Sequence, residues 1–187
     1  MVRIDSPGKS ARGQLLISGG GLYDPNFRHT VVLIGSHDHR GAVGIVLNRA
    51  SEFALEEVVP SLADLTTPGD RLFEGGPVEP TRVVLLAEVE DPEILDVPVL
   101  PDVGFLTGDV PSDVRTRIRR ARVYLGHSGW APGQLEAEME DGSWILEPAT
   151  PDDIFTDDPD ALWRRVLERK GPEYAKVARV PFDPSMN

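Results

Sequence analysis

The chain has no cysteine. That excludes disulfides, thiolate nucleophiles, iron–sulfur clusters and cysteine-based zinc sites together. Nor does it have an apolar run near the roughly 18 residues of a membrane span, and the opening Met1-Val2-Arg3-Ile4-Asp5-Ser6-Pro7 lacks the apolar core of a secretory signal. A cytoplasmic protein without a membrane partner is the expectation. Walker A, zinc-protease and calcium-loop motifs are all missing. Gly19-Gly20-Gly21 is no dinucleotide fingerprint, because Asp24 stands three residues after Gly21. No cofactor and no metal are therefore expected. Bases are scarce: 19 against 31 acids, a formal charge of -12. The summed field repels polyanions, and no helix-turn-helix spacing is visible, so direct nucleic-acid binding is not expected.

What is present suits one domain: 187 residues, 40% of them hydrophobic, enough to bury a real core. Residues 1–11 read as a flexible leader, 12–170 as the domain and 171–187 as a C-terminal tail. Leucine-rich or β-branched runs at 15–17, 30–34 and 41–47 predict strands buried on both faces, with His37 to Gly41 as the connection of a hairpin. Residues 52–59 predict a short helix stopped by Pro60. Strands are predicted at 71–74, 82–89, 103–107, 123–125 and 144–146, with an irregular loop over the proline-rich 91–102. Val114, Ile118 and Ala121 recur at helical spacing and predict a helix over 112–121. Further helices are predicted over 131–141 and from Asp158-Pro159 to Lys170. Without regular β-α-β alternation, the pattern is α+β.

Five segments carry a resemblance. They are Leu15-Leu16-Ile17; Asp24-Pro25-Asn26-Phe27 leading into Thr30-Val31-Val32; the hairpin ending in Asn48-Arg49; Gly75-Gly76-Pro77; and Gly126-His127-Ser128-Gly129-Trp130-Ala131-Pro132-Gly133-Gln134-Leu135-Glu136. In this order, from about Gly13 to Lys170, they make the chain similar to the YqgE/AlgH family, bacterial proteins of unsettled biochemistry. The resemblance implies a single α+β domain in which a branched, curved sheet closes into a pseudo-barrel with short helices packed outside. It also implies a regulatory or binding role, since members have been labelled transcriptional regulators. Departures are local: Gly20 where relatives often carry proline, Ser36 where an acid often precedes the histidine, His127 where tyrosine is common.

Several constellations admit chemistry. Gly126-His127-Ser128-Gly129 reads as a glycine-flanked turn before a helix, the order of a nucleophile elbow. Trp130 stands where the elbow needs glycine, and the spacing fails. Free N–H groups at that helix start would suit an anion, whereas torsional freedom at the glycines with Trp130 as a core anchor is the structural alternative. His37 and His39 flank Asp38 in a predicted turn without a third ligand at metal spacing, and solvated turn histidines are expected. Asn48-Arg49 emerges from a buried strand either to face a cleft or to hydrogen-bond a local turn. Arg115, Arg117, Arg119, Arg120 and Arg122, with Arg164, Arg165, Arg169 and Lys170, form either one basic face or locally paired arginines.

The functional expectation is a non-enzymatic regulatory or binding protein acting through a protein or small-molecule partner. The alternative is a small-ligand or anion-binding protein, extending to a hydrolase, with a cleft built from the motif loops. The residues expected to frame such a site are Asp24, Asn26, His37, Asn48, Arg49, Gly76, Trp130 and Gln134. No catalytic residue is assigned.

Overall fold

Leu15, Leu16 and Ile17 are consecutive and all fully buried, which in an extended chain requires protein on both faces of the sheet. The computed structural model, which describes residues 9–19, 24–25 and 27–179, supplies both layers. Strands β1 (Gln14–Ser18), β2 (Val31–Asp38) and β3 (Gly41–Val46) form an antiparallel meander. Then β4 (Ala50–Ala54) leads through helix α1 (Leu55–Val58) and a 3-10 turn (Pro60–Leu65) to β5 (Arg71–Glu74), its antiparallel partner. Long β6 (Val78–Val89), short β7 (Val97–Pro98) and β8 (Val103–Leu106) follow. Helix α2 (Ser112–Arg115) precedes β9 (Ile118–Trp130), and α3 (Gln134–Glu140) precedes β10 (Trp144–Pro148). Helices α4 (Pro151–Ile154) and α5 (Leu162–Lys170) close the sequence of elements with a 3-10 turn at Val177–Arg179.

The sheet runs β10-β1-β2-β3-β9-β6-β8-β7, and β9 also pairs in parallel with β5. With β3, β5 and β6 as partners, β9 is the branch point. Alternation then sorts side chains into layers. Leu15, Ile17, Leu33 and Ile45 face Leu86, Val103 and α5 residues Leu162 and Val166 inside the curl. Leu16, Val32, Ile34 and Val46 face outward under α3, and Leu85, Ala87 and Val123 form an outer cluster with Leu55 and Leu72. The two halves approach closely: the Phe105 ring lies over Gly35, where an added Cβ would sit 2.7 Å from it. Among the described residues no ladder joins the edges β10 and β7, so the closure implied by the resemblance is not made by strand pairing. The architecture is a mixed α and β single domain with one large, mostly antiparallel sheet and few helices. Its β10 edge is blunted, because Lys170 Nζ donates to the Leu146 carbonyl at 2.7 Å and Arg169 to that of Pro148 at 3.3 Å.

Several sequence expectations change. The helix expected over 112–121 stops at Arg115, and 118–122 joins β9, since Ala121, Arg122 and Val123 pair with Ala87, Leu86 and Leu85. Ladder pairing with β6 outweighs a helical spacing that three apolar residues support. Residues 52–54 are strand, and helix begins only at Leu55. The segment 91–102 holds a 3-10 turn and β7. His37 and Asp38 belong to β2, leaving His39 and Arg40 as the turn. There the Arg40 side chain and N–H lower the Asp38 carboxyl to about 2.

Tyr124 is fully buried in the inner core beside Phe73, ring centroids 5.7 Å apart, and its hydroxyl has no hydrogen-bond partner among the described residues. Burial pushes its phenol above the ordinary range. An orphan hydroxyl of this kind costs about 1–3 kcal/mol of desolvation. Tyr124→Phe should therefore leave stability unchanged or raise it by about 1 kcal/mol, about 2–4 °C in Tm for a chain of this size. Thermal denaturation tests this; a loss of stability would mean that the hydroxyl is satisfied, by an internal water for example.

Candidate functional site

The signature around Trp130 is strand and not turn. Ser128 lies within β9, fully buried, and its hydroxyl donates to the Gly75 carbonyl at 3.4 Å. The chain turns only at Ala131 to Gly133, and there the Ala131 N–H donates to Gln134 Oε1 at 3.0 Å. Glu138 organises the rest. Its Oε2 accepts from the indoles of Trp130 (2.9 Å) and Trp144 (2.8 Å), while Oε1 accepts from Gln134 Nε2 at 2.9 Å. Phe27 closes the cluster, edge-on to Trp144 at 5.5 Å and tilted on Trp130 at 6.1 Å. Trp130, Leu135 and Trp144 are buried and Met139 is partly buried, so this short helix is held by packing. His37 is drawn in as well. Its Nδ1 accepts from the Ala11 N–H (3.0 Å), so Nε2 carries the proton donated to Glu136 Oε1 (2.8 Å). With a side chain 6% exposed, it is a buried connector and not the solvated turn residue expected from sequence. Its imidazole and Glu136's own backbone N–H hold that carboxyl below its usual value, the backbone contact being the larger cause.

Asn48 and Arg49 staple the segment before β2. Asn48 Oδ1 accepts from the Val31 N–H and Nδ2 donates to the His29 carbonyl; Arg49 donates to the Pro25 carbonyl at 2.8 Å and to Thr30 Oγ1 at 3.1 Å. Burial lowers the Arg49 guanidinium pKa while Glu74 and Asp24 pull it back. Asn26 lies outside the described residues. Gly76 lies at the branch point, packed against β9. Added Cβ atoms would come within 2.3 Å of the Gly126 carbonyl from Gly75 and within 2.3 Å of His127 from Gly76. The two glycine motifs are thus halves of one backbone-to-backbone junction.

The expected residues do not frame one polar depression. Arg49 and Gly76 share a cavity of about 360 Å³ with Phe53, Glu74 and Pro77. His37, Trp130 and Gln134 belong to the α3 clasp, and His37 lies six residues from Val31 along β2, roughly 20 Å from the Asn48 contact. The basic run is dispersed too. Arg115 pairs with Asp64, Arg117 with Asp91, Arg119 with Asp102, and Arg120 with Glu88 and Asp152. Arg122 caps α4 by donating to the Ile154 and Thr156 carbonyls, both at 2.9 Å. On the last helix Arg165 donates to Thr156 and Arg169 chelates the buried Asp153.

A different place has the makings of a site. Between the β2–β3 hairpin and strands β6 to β8 lies a cavity of about 600 Å³, within the range of small-molecule sites. Val43, Val83 and Val97 line it and remain 43%, 44% and 40% exposed. Phe105, over Gly35, adds an aromatic surface. Its polar rim is Glu79, Arg82 and His127. Arg82 donates to Glu79 Oε2 at 3.0 Å, and His127 Nδ1 lies 3.8 Å from the same oxygen. These groups converge because β6 bulges: Val78 pairs with His127 and Val83 with Leu125, so residues 79–82 oppose Gly126 alone. Glu79 has φ 46, left-handed and costly for a side chain of its size. One signal was present in the sequence: Pro80 stands just before the strand predicted from 82, where it cannot donate to a ladder, and the structure includes it in β6 as part of the bulge.

The model of the AlgH-like family matches residues 15–175. The chain belongs to this family. A UPF0301 protein of Thermobifida fusca is 37% identical over 95% of this chain and 96% of its own, and one of Chlorobaculum tepidum is 37% identical over 94% and 95%. The crystal structure of a Corynebacterium diphtheriae protein is similar with a TM-score of 0.81 at 25% identity, covering 95% of this chain and 94% of that one. The solution structure of the AlgH protein from Pseudomonas aeruginosa is similar at 0.68 and 29% identity, covering 89% and 92%. In this AlgH-like chain, the motif residues whose contacts are described above hold the fold together, whereas the apolar cavity with the polar rim lies mostly between those motifs.

Proposed function

We propose that this AlgH-like chain is a non-enzymatic binding protein for a small, largely aliphatic molecule seated in the cavity between the β2–β3 hairpin and β6 to β8. One observation carries the reading: three valines stand half-exposed around a single concavity, where each forgoes on the order of 1 kcal/mol of burial. An aliphatic ligand would recover that burial. A regulatory role then acts through the ligand or a protein that senses it. The arginines that made DNA contact conceivable are engaged with carboxylates and carbonyls, which supports the same view.

Methyl NMR with 1-decanol as probe tests it. Saturable shifts are expected at the Val43, Val83 and Val97 methyls, and Val83→Asp should weaken binding at least about tenfold by placing a charge on the apolar wall. Absence of shifts at these methyls up to the solubility of the probe would refute the site.

A further inference from the structure

The rim of the cavity says more about the ligand than its walls do, if the proposed site is accepted. Aliphatic walls specify an apolar body and little else. Charge on the lining is confined to Glu79 and Arg82 of the β6 bulge, where Arg82 donates to Glu79 Oε2 at 3.0 Å and His127 Nδ1 of β9 lies 3.8 Å from the same oxygen. That acceptor belongs to a residue held in the left-handed region, with φ 46, so its position at the cavity mouth is maintained against a backbone preference. The ion pair is weak for its kind: the Arg82 and Glu79 side chains are 61% and 55% exposed, where solvent screens the attraction. Thr107, another polar residue on the lining, is occupied, because its N–H and hydroxyl both donate to Asp96. A weakly held carboxylate on Arg82, with the His127 ring beside it at the end of an apolar trough, is an arrangement in which a ligand carboxylate can take its place.

We infer that the ligand is an aliphatic monocarboxylate, whose carboxylate takes the place that Glu79 now holds between Arg82 and His127 while its chain lies along Val43, Val83 and Val97. Glu79 is the resident stand-in and swings to solvent when the site fills. The exchange keeps the charge count at the rim constant, one carboxylate facing Arg82 and His127 before and after.

The test titrates wild type, Glu79→Gln and Arg82→Gln with decanoate, 1-decanol and decylamine, following the three valine methyls. Wild type should bind decanoate about tenfold tighter than decanol, the size of one charge-assisted hydrogen bond. Glu79→Gln should strengthen decanoate binding several-fold and leave decanol unchanged, since it removes only the competitor. Arg82→Gln should erase the preference for decanoate. Equal binding of decanoate and decanol, or tightest binding of decylamine, overturns the carboxylate inference while the apolar site stands. Weaker decanoate binding by Glu79→Gln overturns the stand-in role. If none of the three probes binds, the proposed site itself falls.

Discussion

Gly126→Ala should destabilise the chain by about 3 kcal/mol or more, lowering Tm by roughly 10 °C. Two causes add. Gly126 has φ +72, which costs an alanine about 1–2 kcal/mol. The new Cβ would also sit 2.5 Å from the Gly76 carbonyl oxygen and 3.0 Å from that of Val78, both backbone atoms that cannot rotate away. Gly133→Ala is the matched control, since φ is +77 with nothing within 4 Å of the added carbon. It should lose only the torsional part. Thermal or denaturant unfolding of the two variants separates the terms, and equal losses would refute the interlock of the Gly75-Gly76 and Gly126 motifs. A partial loss of the β6 bulge in Gly126→Ala should also perturb the cavity rim, because residues 79–82 oppose that glycine.

Glu138→Ala is the second large effect, with an expected cost of about 2–4 kcal/mol. Trp130 and Trp144 are 5% and 4% exposed, and both indole N–H groups donate to the same Glu138 oxygen. Removing the acceptor strands two buried donors at once, and Gln134 loses its partner besides. Glu138→Gln keeps a carbonyl acceptor and should recover part of the loss. Indole N–H exchange gives a readout specific to the clasp. Protection should fall for Trp130 and Trp144 and persist for Trp163, whose indole donates to the Ser18 carbonyl at 3.0 Å. Uniform loss of protection at all three would point to general unfolding instead.

The described motif residues are not all gathered at one place, and sequence could not tell this for a physical reason. Polar side chains beside apolar strands look alike in sequence whether they face a ligand or the chain's own backbone. Asn48 satisfies the Val31 N–H and the His29 carbonyl, and Gln134 satisfies the Ala131 N–H, so these amides complete the hydrogen bonding of turns. Both partners of Asn48 lie 17 and 19 residues away. Neither distance leaves a local pattern. Ser128 is similar: its glycine neighbours imitate a strand-to-turn elbow, yet they permit close backbone approach inside a continuous strand.

Local sequence determined the strands with apolar residues in immediate succession, Leu15 to Ile17 and Val31 to Ile34, because burial on both faces leaves no place for polar residues. It also determined the stop of α1 before Pro60 and the end of α5 at Gly171, where backbone chemistry acts within a few residues. Tertiary structure decided what depends on partners far along the chain. Residues 118–122 carry a helical spacing but extend because β6 offers a ladder. The arginines from Arg115 to Arg120 find acids from Asp64 to Asp152, and Arg122 finds backbone carbonyls, so they do not form one basic face. Val43, Val83 and Val97 read as ordinary strand valines, and only the curl of the sheet leaves them facing an open cavity, since exposure is a property of the assembled surface and not of the residue.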